Sequence, residues 1–148
     1  MQAVYLENGT LSYEADYPKP EPAAHEALVR VTLCGICSTD LEIVRGYVPG
    51  FKGVLGHEFV GVVEDAADEA LIGQRVTSTI NLLDPRTADM SLPVTKEHHP
   101  DRTVLGILNH DGIFADYVTV PVDNLVMIPD DVPDERAVFT EPLAAALR

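Results

Sequence analysis

The sequence predicts a mainly β domain, a small barrel or sandwich with short helices attached. Three observations predict it. The apolar runs are short and alternate with polar residues, the two-residue period of strands. Ten glycines and eleven prolines lie scattered in short clusters, as turn punctuation between many strands. No strand–helix alternation appears, and no G-x-G-x-x-G follows a strand, which argues against a doubly wound nucleotide-binding fold.

The elements follow in order. Met1–Glu7 alternates Val4 and Leu6 with Tyr5 and Glu7 and predicts a strand. Asn8-Gly9 turns it into a hairpin with Leu11–Glu14. Asp16–Glu26, with Pro18, Pro20 and Pro22, is an extended connector. Ala27–Cys34 is β-branched and alternating, hence a strand, and Gly35 ends it. Ser38 or Thr39 caps a short helix through Arg45, with Leu41 and Val44 on one face and Asp40 and Glu42 in the first turn, where negative charge is favoured.

Gly46–Gly53 is a loop. Phe59–Glu64 is a strand, with Gly61 a point of close approach or a bulge. A Gly73-Gln74 turn leads into the strand Arg75–Ile80. Asn81–Thr103 shows no period and reads as a long surface loop, a length that calls for a task or an ordering element of its own. Gly112–Val120 and Asn124–Ile128 are strands. Pro129–Glu135 turns into a final helix, in which Pro142 predicts a break at Glu141 between two helical pieces.

Composition narrows the function classes. At 148 residues and 46% apolar, the chain is long enough for one domain with a core and too apolar to be disordered. No apolar run approaches the roughly 20 residues of a membrane span, and the N-terminus has no secretory pattern. A net charge of −14, spread along the chain, argues against nucleic acid or an anionic membrane as partner. Two cysteines in one C-x-x-C, Cys34 and Cys37, do not make a disulfide scaffold, and a reducing cytoplasm is the expected compartment.

The chemistry-bearing residues are Cys37, the Gly56-His57-Glu58 stretch and nearby carboxylates. Thiolate, imidazole and carboxylate are zinc ligands, and a catalytic site uses three of them and leaves a position open. From spacing alone other readings stand beside this one. A cysteine at a strand end packs as a small apolar residue, and a lone histidine serves as a hydrogen-bonded core or surface group.

Four stretches in register resemble the medium-chain alcohol and polyol dehydrogenases. They are Cys34-Gly35-Ile36-Cys37-Ser38-Thr39-Asp40; Gly56-His57-Glu58-Phe59-Val60-Gly61 with Ala67 and Ala70; Asp111-Gly112-Ile113-Phe114-Ala115-Asp116-Tyr117; and Glu141-Pro142-Leu143-Ala144. The resemblance covers nearly the whole chain and implies a GroES-like, partly open β-barrel. It implies that Cys37, His57, Glu58 and Glu141 bind one catalytic zinc. Glu58 would be a direct or exchanging ligand, and Glu141 would stand where other branches have a cysteine. Thr39 would contact the substrate oxygen and start a proton relay, and Asp40 would orient His57. The reaction implied is zinc-assisted hydride transfer from an alcohol or polyol to NAD or NADP.

The chain also departs from that pattern. The nucleotide-binding domain that relatives carry after the 143–148 helix is absent, so residues 1–148 are expected to be the catalytic domain alone, inactive by itself. The resemblance implies a homo-oligomer for the full-length protein, assembled through the nucleotide-binding domain. Asn81–Thr103 holds no cysteine, so no structural zinc is expected, and His98-His99 reads as an exposed loop pair. Glu42 stands where some relatives end the relay with a histidine; it either relays the proton or is a surface carboxylate. Cys34 reads as buried packing. Tyr47, Pro49 and Phe51 are open to either pocket lining or loop packing. Two alternatives remain: a metal-free relative of the quinone-reductase kind and a non-enzymatic GroES-like binding module.

Overall fold

The fold begins with the hairpin that the Asn8-Gly9 pair predicts. Strand β1 (Ala3–Glu7) pairs with β2 (Thr10–Glu14), and both turn residues have positive φ, 52° and 73°, the twist that suits a two-residue hairpin. The structure, a computed structural model, describes residues 1–147; Arg148, the end of the last expected helix, lies outside the described residues. The remaining elements are β3 (Glu26–Cys34), α1 (Ser38–Val44), β4 (Lys52–Val54), β5 (Phe59–Ala66), β6 (Arg75–Ser78), β7 (Asn81–Leu82), β8 (Thr103–Val104), β9 (Tyr117–Pro121), β10 (Leu125–Met127), α2 (Asp134–Ala137) and α3 (Thr140–Ala146).

The strands form three antiparallel sheets, ordered β2-β1-β4, β10-β6-β5-β3-β9 and β7-β8. Residues 112–116 stitch the first sheet to the second: Val4 N donates to the Phe114 carbonyl at 2.8 Å, Asp116 N to Gln2 at 3.0 Å and Val31 N to Asp116 at 2.9 Å. The two sheets are thereby joined into a partly open barrel, and the mainly β expectation holds. Val29, Phe59, Val63, Val76, Leu105 and Ile113 fill the core and are essentially inaccessible. Each such side chain contributes on the order of 1.5–3 kcal/mol by leaving water. A second cluster, Leu6, Ile43 and Leu55 with Phe51 against it, seats α1 on the small sheet.

Several expectations change. The loop over residues 46–53 ends in the short strand β4, which pairs with β1. The cap of α1 is Cys37, and its buried residues are Asp40 and Ile43, while Leu41 is exposed. Phe51 is packing, and Tyr47 is exposed. Cys34 is exposed and free, because β3 turns its side chain outward at the last residue. The strand expected from Gly112 is regular only from Tyr117, since the residues before it bond to β1, to the end of β4 and to the segment after it. The helix break falls at Val138–Phe139; Glu141 and Pro142 sit in the first turn of α3, where a missing amide costs nothing.

The long loop has its own order. Its base is closed by the β7–β8 pairing and by Leu105 N on the Ile80 carbonyl at 3.0 Å. His98 is exposed as expected, but His99 is buried. Its Nε2 lies 3.0 Å from the Asp89 carbonyl, and its Nδ1 accepts from Asp101 N at 3.1 Å. Buried Asn124 holds the loop's start, donating to the Thr79 and Asn81 carbonyls at 3.1 and 2.8 Å and accepting from Lys96 Nζ at 3.0 Å. Among the described residues no helix is long and apolar enough to cross a membrane.

Candidate metal centre

The centre forms where β3 and β5 reach their common end. Cys34 opposes Phe59 in the register, and Gly35 N donates to the Glu58 carbonyl at 2.8 Å. The turn to Cys37 therefore runs directly past His57 and Glu58. One ligand atom each from Cys37, His57 and Glu58 lies within 4.8 Å of the other two, and both His57 and Glu58 are buried. Zinc bonds of 2.0–2.3 Å separate tetrahedral ligand atoms by roughly 3.5 Å, so a small contraction closes this set round a metal ion. A soft thiolate, an imidazole and a carboxylate are also the right donors. The residues fit zinc.

Asp40 holds two of the three. Its Oδ2 accepts from Cys37 N at 2.8 Å, which closes the cap of α1, and the Cys37 sulfur accepts from Thr39 N at 3.5 Å. Its Oδ1 faces His57 Nδ1 at 3.4 Å. Neither of those two atoms has another partner, and both are buried. With Nδ1 facing Asp40, Nε2 is the ring nitrogen left to offer a metal. Burial disfavours charge on His57, but Asp40 and then Cys37 outweigh it and hold the ring pKa up at about 9.

The segment before His57 is clamped by its neighbours. Gly56 has φ +94°, and a Cβ at Gly106 or at Gly112 would come within 2.2 Å of its carbonyl oxygen. Gly112 N, Ile113 N and Phe114 N bond to Val54, Gly56 and Leu55 at 2.8, 3.1 and 2.9 Å. Asp111 adds two ties, accepting from Val54 N at 2.9 Å and from the Tyr17 hydroxyl at 2.7 Å. Gly106 carries no sign of this contact in its own neighbourhood of sequence.

The remaining candidates lie round the centre. Thr39 is half-buried on the first turn of α1, two residues past Cys37. Glu141 is half-buried, outside the three-atom cluster, and lines a cavity of about 310 Å³ with Thr140, Ser78 and Thr79. Burial raises its pKa; the charge of His57 opposes that rise and the charge of Glu58 adds to it, so Glu141 lies within electrostatic reach of both. Glu42 is exposed and paired with Arg45 at 2.6 Å, a surface carboxylate.

Residues 23–130 match the alcohol dehydrogenase GroES-like domain. The L-threonine 3-dehydrogenase of Chelativorans sp. (strain BNC1) is 37% identical over 140 residues, 88% of this chain and 40% of that protein. The short chain alcohol dehydrogenase rspB of Escherichia coli CFT073, solved with NADH, superposes with a TM-score of 0.87 at 32% identity, over 99% of this chain and 44% of that one. The glucose dehydrogenase of Haloferax mediterranei, solved with NADP, zinc and gluconolactone, gives 0.79 at 28% identity, over 99% and 43%. The chain spans about two fifths of the length of the curated relatives it matches.

Proposed function

The chain belongs to the alcohol dehydrogenase GroES-like domain family, and from that premise we propose that it is the zinc-holding, substrate-activating part of a nicotinamide-dependent alcohol or polyol dehydrogenase. The observation that carries this reading is the cluster of Cys37, His57 and Glu58 within 4.8 Å, backed by buried Asp40. Cys37, His57 and Glu58 would hold one catalytic zinc, and Glu141 would join as a further carboxylate. Bound there, zinc would supply Lewis-acid polarisation of the substrate oxygen.

The chain's own groups do the rest. Asp40 keeps the Cys37 amide and the His57 ring in place, so two ligands are oriented by one carboxylate. Thr39, partly open to solvent beside Cys37, would bind the substrate hydroxyl and pass its proton outward. Glu42, occupied by Arg45, stays outside this relay, which ends in solvent. The hydride acceptor, NAD or NADP, would be held by a separate nucleotide-binding domain, and the assembled enzyme would be a homo-oligomer acting on a small alcohol or polyol. The long loop without cysteine would carry no second zinc.

Metal analysis of the purified chain by mass spectrometry tests the reading. About one zinc per chain is expected, lost in Cys37→Ala. A metal-free parent chain, or a Cys37→Ala variant with full zinc, would overturn it.

A further inference from the structure

Gly35 has no backbone reason to be glycine. Its φ is not in the left-handed region, so any residue could adopt its conformation. What it lacks is room. A Cβ built at Gly35 would lie 2.5 Å from Glu58 Oε2, 3.3 Å from Glu58 Cβ and 3.6 Å from Glu58 Cδ, and these are its three nearest neighbours. The Glu58 side chain therefore lies across the bare face of Gly35, buried, with its carboxylate beside Cys37 and His57. The two backbones cannot part to make space, because Gly35 N is bonded to the Glu58 carbonyl at 2.8 Å and the next pair, Cys34 and Phe59, is already in sheet register.

We propose that Gly35 is a positioning residue whose missing side chain is the seat of the Glu58 carboxylate, holding it within reach of the metal that Cys37 and His57 bind. The inference rests on the zinc reading above. A methyl group at position 35 leaves the backbone unstrained and displaces the carboxylate from the cluster. A positioning group of this kind is worth 10- to 100-fold in metal affinity, and about tenfold is expected for this single methyl.

The test is a double-mutant cycle read on metal binding rather than on turnover. Zinc affinity is measured by chelator competition, and the visible spectrum of the cobalt(II)-loaded chain reports its ligand set, for the parent, Gly35→Ala, Glu58→Ala and the double variant. Gly35→Ala should weaken zinc about tenfold and alter the cobalt spectrum. In the Glu58→Ala background it should change affinity less than about twofold. An unchanged affinity and spectrum in Gly35→Ala would overturn the proposal, and so would an equal loss in both backgrounds. If Gly35→Ala does not fold, recovery of folding in the double variant supports the seat, and failure to recover overturns it. A parent chain that binds no zinc sinks the metal reading itself; a parent that binds zinc normally with a silent Gly35→Ala sinks this inference alone.

Discussion

Two histidines are buried almost equally in this domain, His57 at 3% exposure and His99 at 2%, and they are held in opposite ways. Both ring nitrogens of His99 have backbone partners, the Asp89 carbonyl and the Asp101 amide, so the ring is spent on tying its own loop. His57 faces Asp40 at 3.4 Å through Nδ1, without a well-formed hydrogen bond, and has a ring nitrogen within 4.8 Å of a Cys37 and a Glu58 ligand atom. A buried polar group without a close partner is costly unless something else binds it. Burial alone does not separate these two histidines; the partners of their ring nitrogens do.

The largest test of this contrast is His57→Ala, which should reduce bound zinc from about one per chain to a trace by mass spectrometry, whereas His99→Ala should leave it at about one. Zinc retained in the first variant or lost in the second would erase the distinction.

The pH dependence of the metal-free chain comes next. His57 in the fold titrates at about 9, above its ordinary value of 6.5. Its contribution to stability is therefore complete below pH 6.5 and is lost as pH rises through about 9, at most about 3 kcal/mol. Urea midpoints of the chelator-treated chain between pH 6 and 10, compared with His57→Gln, isolate it; parallel curves for the two proteins would contradict the assignment.

His99→Ala should cost about 2 kcal/mol, from the void it leaves and from the unpaired Asp101 amide and Asp89 carbonyl. A thermal melt of the zinc-loaded variant measures this, and an unchanged melting temperature would show that the loop does not depend on the ring. The smallest expected effect is that of Asp40→Asn, which preserves shape and removes charge. Zinc affinity should fall about tenfold by chelator competition, and an unchanged affinity would mean that the carboxylate only caps α1.

The contrast was half visible in the sequence. Cys37, His57 and Glu58 stand in stretches whose residue types announce metal chemistry; β3 alternates clearly enough to be drawn from its own residues, and β5 and β10 are short apolar runs bounded by polar residues. His99 looked like its exposed neighbour His98, because its partners are backbone groups ten and two residues away in a segment without a period. Strand β4 hid in a loop because three residues around Gly53 carry no alternation; pairing with β1 makes the strand. The helix break was expected at Glu141 from Pro142, but a proline in a first turn breaks nothing, and the chain bends at Val138–Phe139 instead. Gly106 could not be read at all, since its partner Gly56 is fifty positions earlier and the contact exists only in the closed barrel.

The base of the long loop has one more consequence. With β7 paired to β8 and Leu105 bonded to Ile80, the chain leaves the barrel and returns to it at a clamped neck, and Lys96 on Asn124 ties the excursion back to the barrel. Lengthening such an excursion is cheap, about 0.6 kcal/mol for each doubling of a flexible loop. Shortening or exchanging it would sacrifice the order that His99 provides through Asp89 and Asp101. The domain thus carries, outside the stretches that hold Cys37, His57 and Glu58, a segment whose two ends are fixed to each other by backbone pairing, where inserted sequence is expected to leave the barrel intact.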